Sequence, residues 1–93
     1  MKEYIAYIYF LLKSEGGRKK NIPKSKYAFR PLFYFSNENY DCQIEFDNTE
    51  LICLGNTYKL RIKITDICPI KVGDTFELKE FSTIAKGRVL EIL

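Results

Sequence analysis

Arg18, Lys19, Lys20, Lys24, Lys26 and Arg30 crowd into KSEGGRKKNIPKSKYAFRPLFYF, the stretch from Lys13 to Phe35. Guanidinium and ammonium groups at this density suit one kind of chemistry, the holding of phosphates or carboxylates. Arginine offers a planar fork for two parallel hydrogen bonds, and lysine offers a mobile point charge. From Lys13 to Arg30 there are seven basic residues against one acid, Glu15, so the segment alone carries +6 and the rest of the chain −3. A solvated loop produces the same pattern. The cluster is therefore a candidate footprint for RNA or an acidic partner, weighed against a plain loop.

Reaction chemistry has little to work with. The chain holds no histidine, which removes the ordinary Ser-His and Cys-His pairs. Cys42, Cys53 and Cys68 are odd in number and far apart, with no CxxC, so neither a Cys/His zinc site nor a disulfide framework is expected. They read as small buried hydrophobes of a reducing compartment, which points to the cytoplasm. The carboxylates fall mostly on outward positions of alternating segments, and no pair suggests acid–base work. Gly16-Gly17 lacks the spacing of a phosphate-binding loop, and no helix follows it. The expectation is a protein without catalytic residues, metal, cofactor or bound nucleotide.

The basic segment must be positioned by strands. Of the 93 residues 46% are hydrophobic, and the 15% that are aromatic are all Tyr and Phe, a composition that favours sheets. EYIAYIYFLL (Glu3 to Leu12) reads as a strand whose lack of polar alternation suggests burial on parts of both faces. A strand is expected here in preference to a signal peptide, because Lys13 follows without a small-residue cleavage site and the apolar run is too short to span a bilayer. SEGGRKKNIPKSK is a long loop. FRPLFYF resumes as a strand, with Pro31 at its start or at an edge, and Asn37 to Asn39 makes a polar turn.

YDCQIEF alternates cleanly, with Tyr40, Cys42, Ile44 and Phe46 on the inner face. LICL is a short strand and LGN a turn. KLRIKIT places Leu60, Ile62 and Ile64 inward, TFELKEF does the same with Phe76 and Leu78, and GRVLEIL closes the chain. Six or seven short strands without a helix predict an all-β closed barrel or sandwich, as a single domain over residues 1–93.

The order of these motifs resembles the C-terminal third domain of elongation factor Tu. That family shows a strand ending in L-S-K-x-E-G-G-R, then Y-R-P-Q-F-Y-F, P-G-D, H-P-I and a closing G-A-G-V-V-x-x-L. Here the counterparts are KSEGGR (Lys13 to Arg18), FRPLFYF (Phe29 to Phe35), Val72-Gly73-Asp74, Cys68-Pro69-Ile70 and GRVLEIL, and the likeness runs from about Glu3 to Leu93. The resemblance implies a six-stranded closed antiparallel β-barrel, standing alone and free of catalytic residues. In the full factor this domain meets the T-stem backbone of aminoacyl-tRNA, the exchange factor and the nucleotide-binding domain. Arg18 matches the family arginine that approaches tRNA. Lys19 stands where histidine is frequent, Leu32 replaces the glutamine, and Glu80-Phe81-Ser82 replaces a Glu-Gly-Gly-Arg turn.

Ile5 and Tyr7 stand where the family strand often carries acids. With the phase kept, they point out of the barrel and form an apolar strip with Tyr9, the mark of a protein interface. A shifted register with both faces partly covered is the alternative. Phe29, Phe33, Tyr34 and Phe35 suit either base stacking or the core, and alternation within FYF favours the core. Two functions follow as expectations. The first is protein–protein interaction in a decoy, regulatory or toxin-neutralising, immunity-like role. The second is binding of a tRNA or other RNA backbone through the basic Gly-Gly-Arg loop. A bland third is an accessory barrel within an oligomer. No membrane partner is expected.

Overall fold

Apolar side chains at every second position oblige a strand to bury one face. A sheet in which every strand does so can enclose that face by curling until its edges meet. The computed structural model describes residues 2–93. Its strands are β1 (Lys2–Phe10), β2 (Ile22–Pro23), β3 (Leu32–Phe35), β4 (Glu38–Glu45), β5 (Leu51–Ile52), β6 (Thr57–Ile64), β7 (Thr75–Lys79) and β8 (Thr83–Ile92), with one 3-10 turn at Lys13–Glu15. Six of them close a barrel in the order β1-β6-β4-β3-β7-β8, and every pairing is antiparallel. The expected six-stranded barrel is the architecture found.

The interior follows the alternation. Tyr4, Ala6, Ile8 and Phe10 of β1 are buried against Cys42 and Ile44 of β4 and Leu60, Ile62 and Ile64 of β6. Phe33 of β3 stacks on Phe76 of β7 with ring centroids 4.4 Å apart. Beside that stack β8 carries Gly87, where an added Cβ would lie 2.3 Å from the Phe76 ring and 2.8 Å from the Tyr7 carbonyl oxygen. The core therefore needs a glycine at this point of the closing strand. Cys42 donates its Sγ–H to the Pro31 carbonyl at 3.1 Å, and burial pushes its thiol pKa up to about 12. All three cysteines are free, with Cys42 and Cys68 buried.

Two sequence expectations change. LICL supplies no barrel stave: Leu51 and Ile52 pair with Pro23 and Ile22 in a separate two-stranded sheet. The stretch read as one long loop is thus pinned at its middle, where Ile22 is only 5% exposed. Ile22 is the sole large apolar residue between Arg18 and Lys26, and burying such a side chain is worth about 1.5–3 kcal/mol, enough to fasten a loop. The polar turn also sits earlier than expected. Ser36 and Asn37 take positive φ values of 52° and 64°, while Glu38 and Asn39 already belong to β4. Left-handed backbone at both central residues is the two-residue hairpin turn whose twist matches antiparallel strands.

Candidate functional site

The Gly-Gly-Arg loop is built from β1 outward. Just past the strand, the Glu15 carboxylate folds back to accept the Leu12 backbone N–H at 2.9 Å and the Tyr9 hydroxyl at 2.7 Å. These donors hold its pKa below the usual glutamate value. Gly16 then turns with φ +90°, and Gly17 packs so closely that a Cβ would lie 2.4 Å from the Leu11 carbonyl oxygen. One glycine supplies the left-handed turn and the other the close approach, so the chain emerges with Arg18 aimed across the barrel end.

Arg18 is held there. Its guanidinium lies over the Phe29 ring, 5.7 Å from the centroid, and Nη1 stands 3.3 Å from a Glu80 carboxylate oxygen. Ser82 ties the same two segments together by donating its hydroxyl to the Gly16 carbonyl at 3.2 Å. The β7–β8 turn that replaces the family's glycine-rich turn thus docks onto the Gly-Gly-Arg loop, with Phe81 fully exposed at its tip.

The other predicted basic residues have different neighbours. Lys24 donates to the Asp47 carbonyl at 2.7 Å and pairs with Glu50 at 3.8 Å. Lys26 lies over the neighbouring Tyr27 ring at 5.2 Å. Arg30 lines a separate hollow with Asp41, Gln43 and Lys63. Lys19 and Lys20 are exposed and form no salt bridge among the described residues.

The second surface is the outer wall of β1. Ile5, Tyr7 and Tyr9 point away from the interior, as the unshifted phase requires, and Tyr7 is 50% exposed. In register, Ile5 lies between Arg61 and Glu91, Tyr7 between Lys59 and Arg88, and Tyr9 between Thr57 and Lys86. Tyr7 and Tyr9 form one side of a groove of about 580 Å³ whose other side is Tyr34, Phe35 and Glu77, with Lys86 and Arg88 between. Ile5 lies outside this groove.

Lys86 and Arg88 were not singled out by sequence reasoning. Alternation around Gly87 does turn Lys86 and Arg88 outward, but only the order of strands in the barrel sets them beside Tyr7 and Tyr9. Of the aromatic run, Phe33 is core, Phe29 packs edge-on against Phe46, and Tyr34 faces outward beneath the Lys79 ammonium at 3.8 Å.

Among the described residues there is no group of three or more His, Cys, Asp or Glu side chains able to hold a metal ion. No helix is long and apolar enough to cross a membrane. What the barrel presents is a cationic loop end and a tyrosine-lined wall. The family model of the elongation factor Tu C-terminal domain matches residues 1–93, and the chain belongs to that family.

Proposed function

We propose that this chain, as one barrel domain of the cytoplasm, is a non-catalytic module that binds a protein of the translation-elongation machinery, or a protein directed against it. The family's domain is a non-catalytic barrel of a translation factor, and its members bind proteins and tRNA. The observation that carries the reading is the outer face of β1, where Tyr7 stands half exposed above a groove instead of the acid frequent in the family. Competition for a partner of the elongation factor, whether as decoy, regulator or toxin-neutralising protein, is the role such a surface supports. The test is affinity capture from native cytosol with the intact chain and with Tyr7→Glu. A stoichiometric protein lost in the variant is expected, and recovery of no specific protein would sink the reading.

A second reading rests on Lys19 and Lys20, whose ammonium groups stay exposed beside Arg18. They favour contact with an RNA backbone at the loop end. Such binding weakens steeply between about 50 and 200 mM salt as counterions are released. Flat salt dependence of tRNA binding, or no binding at the low end, would exclude it.

A further inference from the structure

The outer wall around Tyr7 alternates rings and cations in two adjacent rows. One row runs Lys59, Tyr7, Arg88 across β6, β1 and β8, and the next runs Tyr9, Lys86, Glu77, Tyr34 across β1, β8, β7 and β3. Four cations are answered among the described residues: Arg61 pairs with Glu3, Lys63 with Glu45, Lys24 with Glu50 and Arg18 with Glu80. Among the described residues Lys59, Lys86 and Arg88 enter no salt bridge. The carboxylate inside the groove, Glu77, instead accepts the Thr83 hydroxyl at 2.6 Å. The result is a concave aromatic floor, with Lys86 set between Glu77 and Glu15 and with Lys59 and Arg88 free of salt bridges on either side of Tyr7.

We propose that the groove of Tyr7, Tyr9 and Tyr34 receives a segment of the partner protein in which an apolar or aromatic side chain is flanked by carboxylates. The apolar side chain fills the hollow against the tyrosines. The carboxylates meet Lys59 and Arg88 on the two sides of Tyr7, where a desolvated guanidinium gains a bidentate partner. A nucleic-acid strand fits this wall less well. The Tyr34 face on which a base would stack is already covered by Lys79 at 3.8 Å. This proposal rests on the protein-binding reading and specifies the partner's chemistry.

The test pans a phage-displayed random peptide library against the intact chain and synthesises the consensus for affinity measurement. The expected result is enrichment of sequences with Asp or Glu beside an apolar residue. Their affinity should fall about tenfold with Arg88→Glu and with Lys59→Glu, fall by less with Arg88→Lys, which keeps the charge but loses the fork, and be unchanged when Arg18, Lys19 and Lys20 are reversed together. Melting temperatures within a few degrees of the parent establish that the variants fold. Neutral or basic consensus sequences, no enrichment, or a U15 oligonucleotide whose binding is lost in Arg88→Glu would each overturn the proposal. Capture of a cytosolic partner that still binds Arg88→Glu and Lys59→Glu would overturn it while leaving the protein-binding reading intact. Failure to capture any partner tests that reading alone.

Discussion

Arg18 Nη1 and Glu80 Oε2 stand 3.3 Å apart across 62 residues of sequence, joining the Gly-Gly-Arg loop to the β7–β8 turn. The pair is partly exposed, so its worth to stability is about 0–1 kcal/mol. Its larger consequence is for recognition, because an arginine answered by a carboxylate is less available to a phosphate. Glu80→Gln is expected to leave the fold intact and to strengthen whatever tRNA binding the loop has. The log–log salt slope should steepen by about one, as for one added phosphate contact. Anisotropy titrations of labelled tRNA at several salt concentrations measure it. An unchanged slope would mean that Arg18 does not touch the backbone.

The core around Gly87 gives a sharper test. A Cβ there would meet the Phe76 ring at 2.3 Å and backbone at 2.8 Å, so Gly87→Ala overfills the barrel at a cost of about 1–3 kcal/mol. Phe76→Leu removes the ring but opens space beside Phe33. Because the two residues share that volume, the double variant should be more stable than the sum of the singles predicts. Urea denaturation of all four proteins completes the cycle, and strict additivity would contradict the packing described.

Legibility of this barrel in its sequence divides along one line. Where a strand has one wet and one dry side, side-chain period alone settles it, and YDCQIEF and KLRIKIT fall in the expected phase. Pairings between distant short segments leave no such period. Ile22 is a single apolar residue in polar surroundings and LICL a run too short to show alternation, and only the meeting of Ile22 with Ile52 makes a sheet. The same holds for function. Tyr7 and Tyr9 are visible on one strand, but Lys59, Lys86 and Arg88 join them only through barrel order. Charge on the basic loop was legible as composition, while its division among Glu80, Glu50 and the hollow of Arg30 was not.

The hairpin between β3 and β4 carries two non-glycine residues at positive φ, Ser36 at 52° and Asn37 at 64°. Serine is a poor resident of the left-handed region, whereas Asn-Gly is the favoured pair for this turn. Replacing both, Ser36→Asn with Asn37→Gly, is expected to stabilise by about 1 kcal/mol, or about 4–8 °C in a domain of this size. Differential scanning calorimetry reads the shift. A lower midpoint would argue that the Asn37 side chain, which accepts the Tyr34 hydroxyl at 3.0 Å, matters more than the backbone.

The cysteines should separate by rate. Burial lifts the Cys42 thiol to about 12 and raises that of Cys68, whereas Cys53 is only half-buried. At pH 8 a thiol of pKa 12 is ionised to about one part in ten thousand, and the thiolate is the reactive form. One fast equivalent of disulfide-reagent labelling is therefore expected in the native protein, absent in Cys53→Ser, with the other two appearing only on unfolding. Fast modification of Cys42 would show that the barrel opens readily at β4.

Glu15 links stability at acid pH to the tyrosine wall. The Leu12 N–H and then the Tyr9 hydroxyl favour its ionised form, so its folded pKa lies below the reference 4.5. A carboxylate depressed on folding contributes stability that is complete above its unfolded pKa and is lost as pH falls through the folded value. Between neutral pH and about 3 the parent should lose more stability than Glu15→Gln, which has no charge to lose at that position. Tyr9 should respond together with it, since its hydroxyl donates to the same oxygen. Urea melts at several pH values, paired with the nuclear magnetic resonance titration of the Tyr9 ring signals, measure both effects. If the Tyr9 signals stay fixed while Glu15 titrates, the bond does not hold the ring, and the groove wall owes its shape to strand packing alone.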